Sequence, residues 1–343
     1  MTDYELSSVK KVIGTHFKKA AELSCYLREH PELPDQEFES SRKMVEILKE
    51  AGFEVTYPFA GYETAFHALF DNGDGPEVAI LAEYDALPEI GHGCGHNLHG
   101  SLSVLTGLAL KDLKEFYRGK VHVIGTPAEE ENGAKIGMAA QGIFDNMSLA
   151  MMMHSWSGGK CRADMDALSL QCYFVEFYGQ AAHAVAAPWE GKSALAAARK
   201  FLDLIDARRE CFTPDVHVNS IILDGGKAPN IIPDYVKLRM EFRTATMKSM
   251  GAVDEMVKKC ADGAAMALDC TVKFTSVFEF ADMVRNMTLE EEIIRQFEAF
   301  GMPTTGVEAA SGSSDVGNVS YRCPAIQPLL AVTDEDYALH TAA

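Results

Sequence analysis

A continuous apolar segment followed at once by acidic residues constrains the fold of this chain more than any other feature. Residues 78–82 read Val-Ala-Ile-Leu-Ala, and Glu83 and Asp85 come directly after them. An apolar run without polar alternation is typical of a strand that is buried on both faces of a sheet. Ligands of open α/β sheets collect at the carboxyl ends of such strands. The segment therefore predicts an α/β fold with a functional site at this edge.

The loop after this strand has the composition of a metal site. It continues through Cys94 and His96 in the sequence Gly-His-Gly-Cys-Gly-His. Thiolate, imidazole and carboxylate ligands together favour zinc or manganese over magnesium or calcium, which prefer oxygen ligands alone.

Two further predicted strands also end in residues that bind metals. Glu129 and Glu130 follow the apolar strand 120–125, and His154 closes the apolar run 149–153. Taken singly, the acidic cluster of Glu129 to Glu131 is better explained by a solvated turn, and a lone histidine by a core or surface residue. Three successive strands with such ends favour a shared site. The surplus of ligands indicates two ions that share a water molecule, with Glu129 free to move protons.

Composition limits the partners and the number of domains. The chain has 343 residues and a net charge of −19. This length exceeds what one core usually fills, so we expect two domains. A strongly acidic chain does not favour nucleic acid or an anionic membrane as the main partner, which leaves a small molecule. We find neither a leader pattern at the N-terminus nor an apolar run long enough to span a membrane, and expect a cytoplasmic protein.

The predicted elements group into three stretches. Residues 1–167 contain two early helices and four strands, as in an α/β sandwich. Residues 168–284 follow the order β-α-β-β-α-β of a ferredoxin-like module. Residues 285–343 return to helix and strand. The module is therefore predicted as an insertion in the first domain.

Several motifs in this order resemble a family of metallopeptidases and amidohydrolases that includes aminoacylases, glutamate carboxypeptidases and hippurate hydrolases. The resemblance is strongest to its branch of p-aminobenzoyl-glutamate hydrolase and β-alanyl-lysine dipeptidase. The matching segments span nearly the whole chain and are HPEL at 30–33, AEYDALP at 82–88, GCGHN at 93–97, GTPAEE at 125–130, AHA at 182–184, GGKAPNIIP at 225–233, GSSDVGN at 312–318 and HT at 340–341. The resemblance implies a phosphorylase/hydrolase-like metallopeptidase sandwich with an inserted ferredoxin-like dimerisation domain.

The resemblance also implies roles for individual residues. It makes Glu129 the general base, and Asp85 would orient a metal-binding histidine. Glu83 stands where many relatives have a histidine ligand. Either Glu83 binds metal, or the Cys/His pair of Cys94 and His96 binds it in place of Glu83. The metals, two Zn²⁺ or Mn²⁺ ions, would be bound by Cys94, His96, Glu130, His154 and His340.

Further roles fall in and after the inserted module. In the family this module forms a homodimer, and His183 would stabilise the oxyanion in the partner's site; a loop histidine is the alternative. Arg243, with Asn230, would bind a substrate carboxylate; a salt bridge on its strand is the less favoured alternative for Arg243. His340 is three residues from the last residue, whereas relatives continue into a further helix, so we expect that the final helix is missing.

The sequence thus predicts a two-metal amidohydrolase or exopeptidase. Its substrate would be an N-acyl amino acid, a p-aminobenzoyl-glutamate-like conjugate or a short dipeptide with a free carboxylate. Two alternatives stay open: a cysteine amidase that uses Cys94, and a catalytically impaired homologue that binds a small molecule or metal.

Overall fold

The computed structural model describes residues 3–337, and it divides them into two compact units. One unit comprises the chain up to Asp166, Met283–Ala310 and the residues from Ser314 onward. The other comprises Ala167–Asp282 with Ser311–Ser313. The predicted ligand His340 lies outside the described residues.

The first part of the chain alternates helices with strands before the inserted unit begins. Its elements are α1 (Asp3–Glu29), α2 (Phe38–Glu50), β1 (Glu54–Thr56), β2 (Phe66–Asp71), β3 (Glu77–Ala82), α3 (His96–Asp112), β4 (Lys120–Gly125), α4 (Ala134–Ala140), β5 (Leu149–Met151), β6 (His154–Trp156) and β7 (Cys161–Arg162).

The inserted unit is followed by a short return to helices and strands. The elements of the inserted unit are β8 (Ser169–Tyr178), β9 (Ala182–His183), α5 (Ala194–Arg208), β10 (His217–Asp224), β11 (Ile231–Ile232), β12 (Tyr235–Thr244), α6 (Met247–Ala267) and β13 (Thr271–Phe280). The chain ends its described part with α7 (Met287–Ala299), β14 (Thr304–Thr305), α8 (Val316–Ser320), β15 (Ala325–Ile326) and β16 (Leu329–Ala331).

The main sheet of the first unit brings the ends of several strands to one edge. Its order is β1-β2-β4-β3-β5-β15. Strand β3 runs parallel to β4, with Ala82 opposite Gly125, and parallel to β5. The residues that follow β3 and β4 therefore emerge side by side, as the apolar runs predicted.

The predicted strand 149–153 is divided in the structure. Strand β5 ends at Met151, and His154 instead begins β6. Strand β6 pairs with β16 in a second sheet, of order β14-β7-β16-β6. His154 is therefore the first residue of a strand in another sheet, and it comes three positions after Met151, the last residue of β5.

Helices α1, α2 and α3 cover one face of the main sheet. The core between them contains fully buried side chains from each layer, including Leu27, Met44, Leu48, Phe66 and Tyr84. This packing holds the amino end of α3 against the end of β3.

The inserted unit has the predicted β-α-β-β-α-β order. Its antiparallel sheet runs β10-β12-β8-β13. Along β12 the side chains alternate between fully buried and half-buried, and the buried set is Val236, Leu238, Met240 and Phe242. These residues pack with α5 and α6 in one core. The predicted fold class is confirmed.

Within residues 3–337, no helix combines the length and the apolar character that crossing a membrane requires.

Gly100 lets α3 approach the end of β3, and we expect that Gly100→Ala destabilises the protein. A Cβ at this position would lie 2.7 Å from the backbone oxygen of Glu83 and 2.6 Å from Cε of Met44. Alanine favours a helix over glycine by about 1 kcal/mol, but overpacking costs about 1–3 kcal/mol, and a backbone oxygen cannot move aside easily. Urea unfolding measures the difference.

Gly14→Ala is the matched control. Gly14 lies in α1, and a Cβ there would meet nothing within 4 Å. This change should raise the free energy of unfolding by up to about 1 kcal/mol. Equal effects of the two substitutions would contradict the close approach at Gly100.

Candidate metal centre

His96 is the centre of the site because each of its ring nitrogens faces a different kind of partner. Nδ1 donates a hydrogen bond to Oδ1 of Asp85 at 2.9 Å, and both side chains are buried. Among the described residues, Nε2 has no hydrogen-bond partner. Three carboxylate oxygens surround this atom at distances of 3.6 to 3.8 Å, from Glu83, Glu129 and Glu130.

This environment attracts positive charge. Burial by itself lowers the pKa of His96, but the charge of Asp85 and its hydrogen bond outweigh burial and raise the pKa well above its usual value. The same surroundings would favour a metal ion on Nε2 in place of a proton, and a buried ring whose other nitrogen is fixed by a carboxylate is the arrangement of a metal-binding histidine.

Cys94 and His154 provide a second group of ligand atoms. Sγ of Cys94 lies 3.6 Å from Nε2 of His154, and both side chains are buried. Nδ1 of His154 donates to the backbone oxygen of Ser155 at 2.6 Å, so the lone pair of Nε2 faces the thiol. Burial lowers the pKa of His154 to about 4, which keeps the ring neutral and able to bind a cation.

Three groups of possible ligand atoms share His96 within the described residues, and one of them is Glu83, His96 and His99. Cys94, His96 and His154 offer atoms that all lie within 4.8 Å of one another, and so do His96, Glu129 and Glu130. The nitrogen, sulfur and carboxylate donors fit zinc or manganese.

Gly95 allows its two neighbours to take part in the site. Its φ of 87° is in the left-handed region, and it stands directly before α3. A Cβ at this position would collide with Oγ of Ser155. His92, in the same loop, points away from the ligands and donates to the backbone oxygen of Leu27 at 3.1 Å.

The turn that carries Glu129 and Glu130 is anchored by Glu37. Ala128 has a φ of 60°, which is a strained conformation for a residue with a side chain. Its backbone N–H donates to Oε1 of Glu37 at 2.9 Å, and Oγ1 of Thr64 donates to Oε2 at 2.9 Å. Burial raises the pKa of Glu37 to about 7. No motif singled out Glu37 in the sequence; its nearest signal is its place just before α2.

Glu83 is part of a buried ion network that the sequence did not indicate. Its Oε1 accepts from Nζ of Lys135 at 2.7 Å, and its Oε2 accepts from Nδ1 of His99 at 3.2 Å. Nζ of Lys135 also donates to Oδ1 of Asp315 at 2.7 Å. The four side chains have no exposed surface. Burial by itself raises the pKa of Glu83, but Lys135 and the histidines lower it well below its usual value.

Three predicted site residues lie in the inserted unit. His183 is exposed, and its Nδ1 accepts from the backbone N–H groups of Val185 and Ala186 at 3.2 and 3.1 Å, which leaves the proton on Nε2. His183 lies in β9, which pairs with β11. The exposed Asn230 directly precedes β11. Nη1 of Arg243 donates to Oγ of Ser313 at 3.0 Å.

Comparison with known proteins identifies the family. A model described as the peptidase dimerisation domain matches residues 169–267. The Xaa-Arg dipeptidase of Mus musculus is 34% identical to this chain, and the match covers 94% of this chain and 80% of the relative. The chain belongs to the M20 family of peptidases. The resemblance inferred from the sequence motifs is thus confirmed.

Other M20 relatives and solved structures agree. One of the p-aminobenzoyl-glutamate hydrolase subunits of Escherichia coli is 30% identical, with 80% of this chain and 61% of the relative covered. A dinuclear metal binding peptidase of the M20 family from Bacillus subtilis has a TM-score of 0.74 at 21% identity, over 96% of this chain and 92% of that one. This M20 protein is a hydrolase of peptide or amide bonds.

Glu37→Gln should change how stability depends on pH. The folded protein holds a proton on Glu37 up to a pKa of about 7, whereas an exposed glutamate loses it near 4.5. Wild-type stability should therefore fall by up to about 3 kcal/mol between pH 4.5 and 7 through this group, and glutamine should remove that loss. Glutamine retains both hydrogen bonds, since its oxygen accepts from Ala128 and its amide donates to Thr64.

Urea unfolding of both proteins from pH 5 to 8 measures this effect. The stability of the variant relative to wild type should rise with pH. Glu46→Gln, at an exposed position of α2, is the control and should show no such trend. A difference between Glu37→Gln and wild type that stays constant with pH would contradict the prediction.

Proposed function

We propose that this chain is a two-metal exopeptidase or amidohydrolase that cleaves an amide bond next to a free carboxylate. The observation that carries the proposal is the shared position of His96 between the Cys94/His154 group and the Glu129/Glu130 group. Cys94, His96, Glu130 and His154, with His340 from the sequence, would hold two Zn²⁺ or Mn²⁺ ions. Such ions lower the pKa of bound water and polarise a carbonyl group.

The protein residues then have distinct tasks. Asp85 accepts from Nδ1 of His96 and from the backbone N–H of Glu130 at 3.0 Å, and so orients two ligands at once. Glu129, whose Oε2 lies 3.8 Å from Nε2 of His96, accepts the proton of the attacking water and passes it to the leaving nitrogen. His183 of the partner copy would donate from Nε2 to the oxyanion that forms on the substrate.

The proposed substrate class rests on two arguments: a residue suited to bind a carboxylate of the substrate, and the substrates named for two relatives. Arg243, with Asn230, would bind the carboxylate, for which a planar guanidinium can supply two hydrogen bonds. Relatives named as Xaa-Arg dipeptidase and p-aminobenzoyl-glutamate hydrolase both support a carboxylate beside the cleaved amide bond. We therefore include dipeptides that end in arginine among the substrates, beside N-acyl amino acids and p-aminobenzoyl-glutamate.

The environment of Cys94 weighs against a cysteine amidase. The thiol is buried, and burial raises its pKa to about 12. A nucleophilic cysteine needs a depressed pKa and access to the substrate, so Cys94 suits a metal ligand better.

The eight cysteines are free thiols, which supports our expectation of a cytoplasmic protein.

Glu129→Gln should reduce kcat by at least a hundredfold while the metal content stays that of wild type. Glutamine retains the shape of the side chain but cannot accept the proton from water. Hydrolysis of dipeptides ending in arginine, N-acyl amino acids and p-aminobenzoyl-glutamate with Zn²⁺ or Mn²⁺ measures activity, and elemental analysis measures metal content.

Chelation and an exposed glutamate provide the controls. Activity should disappear with a chelator and return with metal; activity that survives chelation would favour the cysteine amidase. Glu131→Gln, close to Glu129 in the same turn and exposed, should retain most activity. An inactive wild-type protein across the whole panel would favour the impaired binding homologue, and full activity of Glu129→Gln would remove Glu129 from the role of base.

We also propose that the inserted unit joins two copies of the chain through β10. This strand is at the edge of its sheet, next to β12, and three successive apolar side chains on it are exposed, Ile221, Ile222 and Leu223. An edge strand with exposed apolar residues is a site of association, and the match to a peptidase dimerisation domain supports a second copy as the partner.

Ile221→Lys should convert the dimer to a monomer, because a charge would be buried in the interface. Light scattering after gel filtration measures the mass. Met266→Lys, at an exposed apolar position of α6 in the same unit, should leave the dimer intact. A wild-type monomer, or a dimer in which Ile221→Lys has no effect, would contradict the proposal.

A further inference from the structure

We propose that Lys135 is a resident cation of the metal centre: its ammonium group occupies a carboxylate-lined position that would otherwise bind a further divalent ion, and it keeps Glu83 out of the metal coordination. The inference rests on the proposed function for the identity of the neighbouring ions. Lys135 is then a positioning residue, and Glu83 is its partner in place of a metal ligand.

The contacts of Lys135 are those of a bound cation. Nζ lies 2.7 Å from Oε1 of Glu83 and 2.7 Å from Oδ1 of Asp315. The side chain has no exposed surface and is among the largest fully buried ones in residues 3–337. Asp315 reaches the same residue twice, since its Oδ2 accepts from the backbone N–H of Lys135 at 3.3 Å. Burying a lysine without such partners would be very costly, so the network is built around its charge.

The oxygens around Lys135 are also spaced as a metal site. Glu83, Glu129 and Asp315 offer carboxylate oxygens that all lie within 4.8 Å of one another. An all-oxygen group of this kind suits a hard divalent ion such as Mg²⁺ or Mn²⁺. The ammonium group is hydrogen-bonded to two of these three carboxylates, so the position is already filled by a positive charge.

The network also accounts for the proposed exclusion of Glu83 from the metal ligands. Its Oε1 is bound by Lys135, and its Oε2 accepts from Nδ1 of His99. Nε2 of His99 in turn lies 2.9 Å from the backbone nitrogen of Ser155, which donates to it, so the histidine is held from both sides. Both oxygens of Glu83 are therefore engaged by protein groups. Unlike a metal ion, the charge of Lys135 stays in place under chelation.

Lys135→Ala tests the inference through metal stoichiometry. Removal of the side chain opens the space that its methylene groups fill and leaves the carboxylates of Glu83 and Asp315 without their cation. We expect that the variant binds one Mn²⁺ per chain more than wild type. Elemental analysis after saturation and gel filtration gives the number, and electron paramagnetic resonance of Mn²⁺ gives a signature that does not depend on activity.

Two control variants separate a specific site from general attraction to an acidic protein. Lys135→Ala/Asp315→Asn replaces one of the carboxylate ligands with a neutral amide and should return to the wild-type stoichiometry. Lys120→Ala removes a lysine from a partly exposed ion pair with Glu77, at 2.7 Å, and should also bind the wild-type number of ions.

Each outcome decides the inference. A variant that is unfolded in chelator but folds with Mn²⁺ and holds the additional ion supports it. A folded Lys135→Ala with the wild-type stoichiometry overturns it, and so does a variant that stays unfolded at every Mn²⁺ concentration, because a divalent ion then cannot replace the ammonium group. Wild-type protein that neither binds metal nor hydrolyses the substrate panel would instead refute the proposed function, while an ion gained only by Lys135→Ala would still support the role of Lys135.

Discussion

The carboxylate of Asp85 connects the parts of the chain on which the site depends. One oxygen accepts from Nδ1 of His96 at 2.9 Å, and the other accepts from the backbone N–H of Glu130 at 3.0 Å. These bonds join the end of β3 to the start of α3 and to the turn after β4. Without Asp85, the ring of His96 and the acidic turn would be positioned independently. Its burial makes both bonds stronger than they would be in water, because the surrounding dielectric is low.

The second constraint is the balance of charge in a buried site. Several carboxylates lie close together in the first unit, and each is compensated in its own way. Glu83 and Asp315 are paired with Lys135, and Asp85 with His96. Glu37 has no cation among these contacts, and burial moves its pKa to about 7. The acidic pair Glu129 and Glu130 faces Nε2 of His96, where a bound cation would be stabilised. Glu83, Asp315 and Asp85 thus each have a cationic side chain as partner, whereas Glu129 and Glu130 face the ring of His96.

Much of the fold was accessible from local patterns. The apolar runs predicted β3 and β4, which end at Ala82 and Gly125 as expected, and the order of elements predicted the inserted β-α-β-β-α-β module. Those patterns report burial, which residues close in sequence share. The end of β5 was predicted two residues too far, because the apolar run continues through Met153 while the chain leaves one sheet for another. Residues that act through distant partners gave no comparable signal. Lys135 contacts Asp315 across 180 positions, and Glu37 contacts Ala128 across 91.

By itself, the sequence determined the α/β class, the inserted β-α-β-β-α-β module and the set of side chains with metal-binding chemistry, since strand burial and ligand type are properties of short segments. Only the tertiary structure decided which of these side chains meet. It placed Glu83 with Lys135 and His99, left Nε2 of His96 free of hydrogen bonds within the described residues, and set Glu37 beneath the turn that carries Glu129. The physical reason is that charge pairing in a buried site depends on distances of a few ångströms between segments far apart in the chain, and no local pattern encodes such distances.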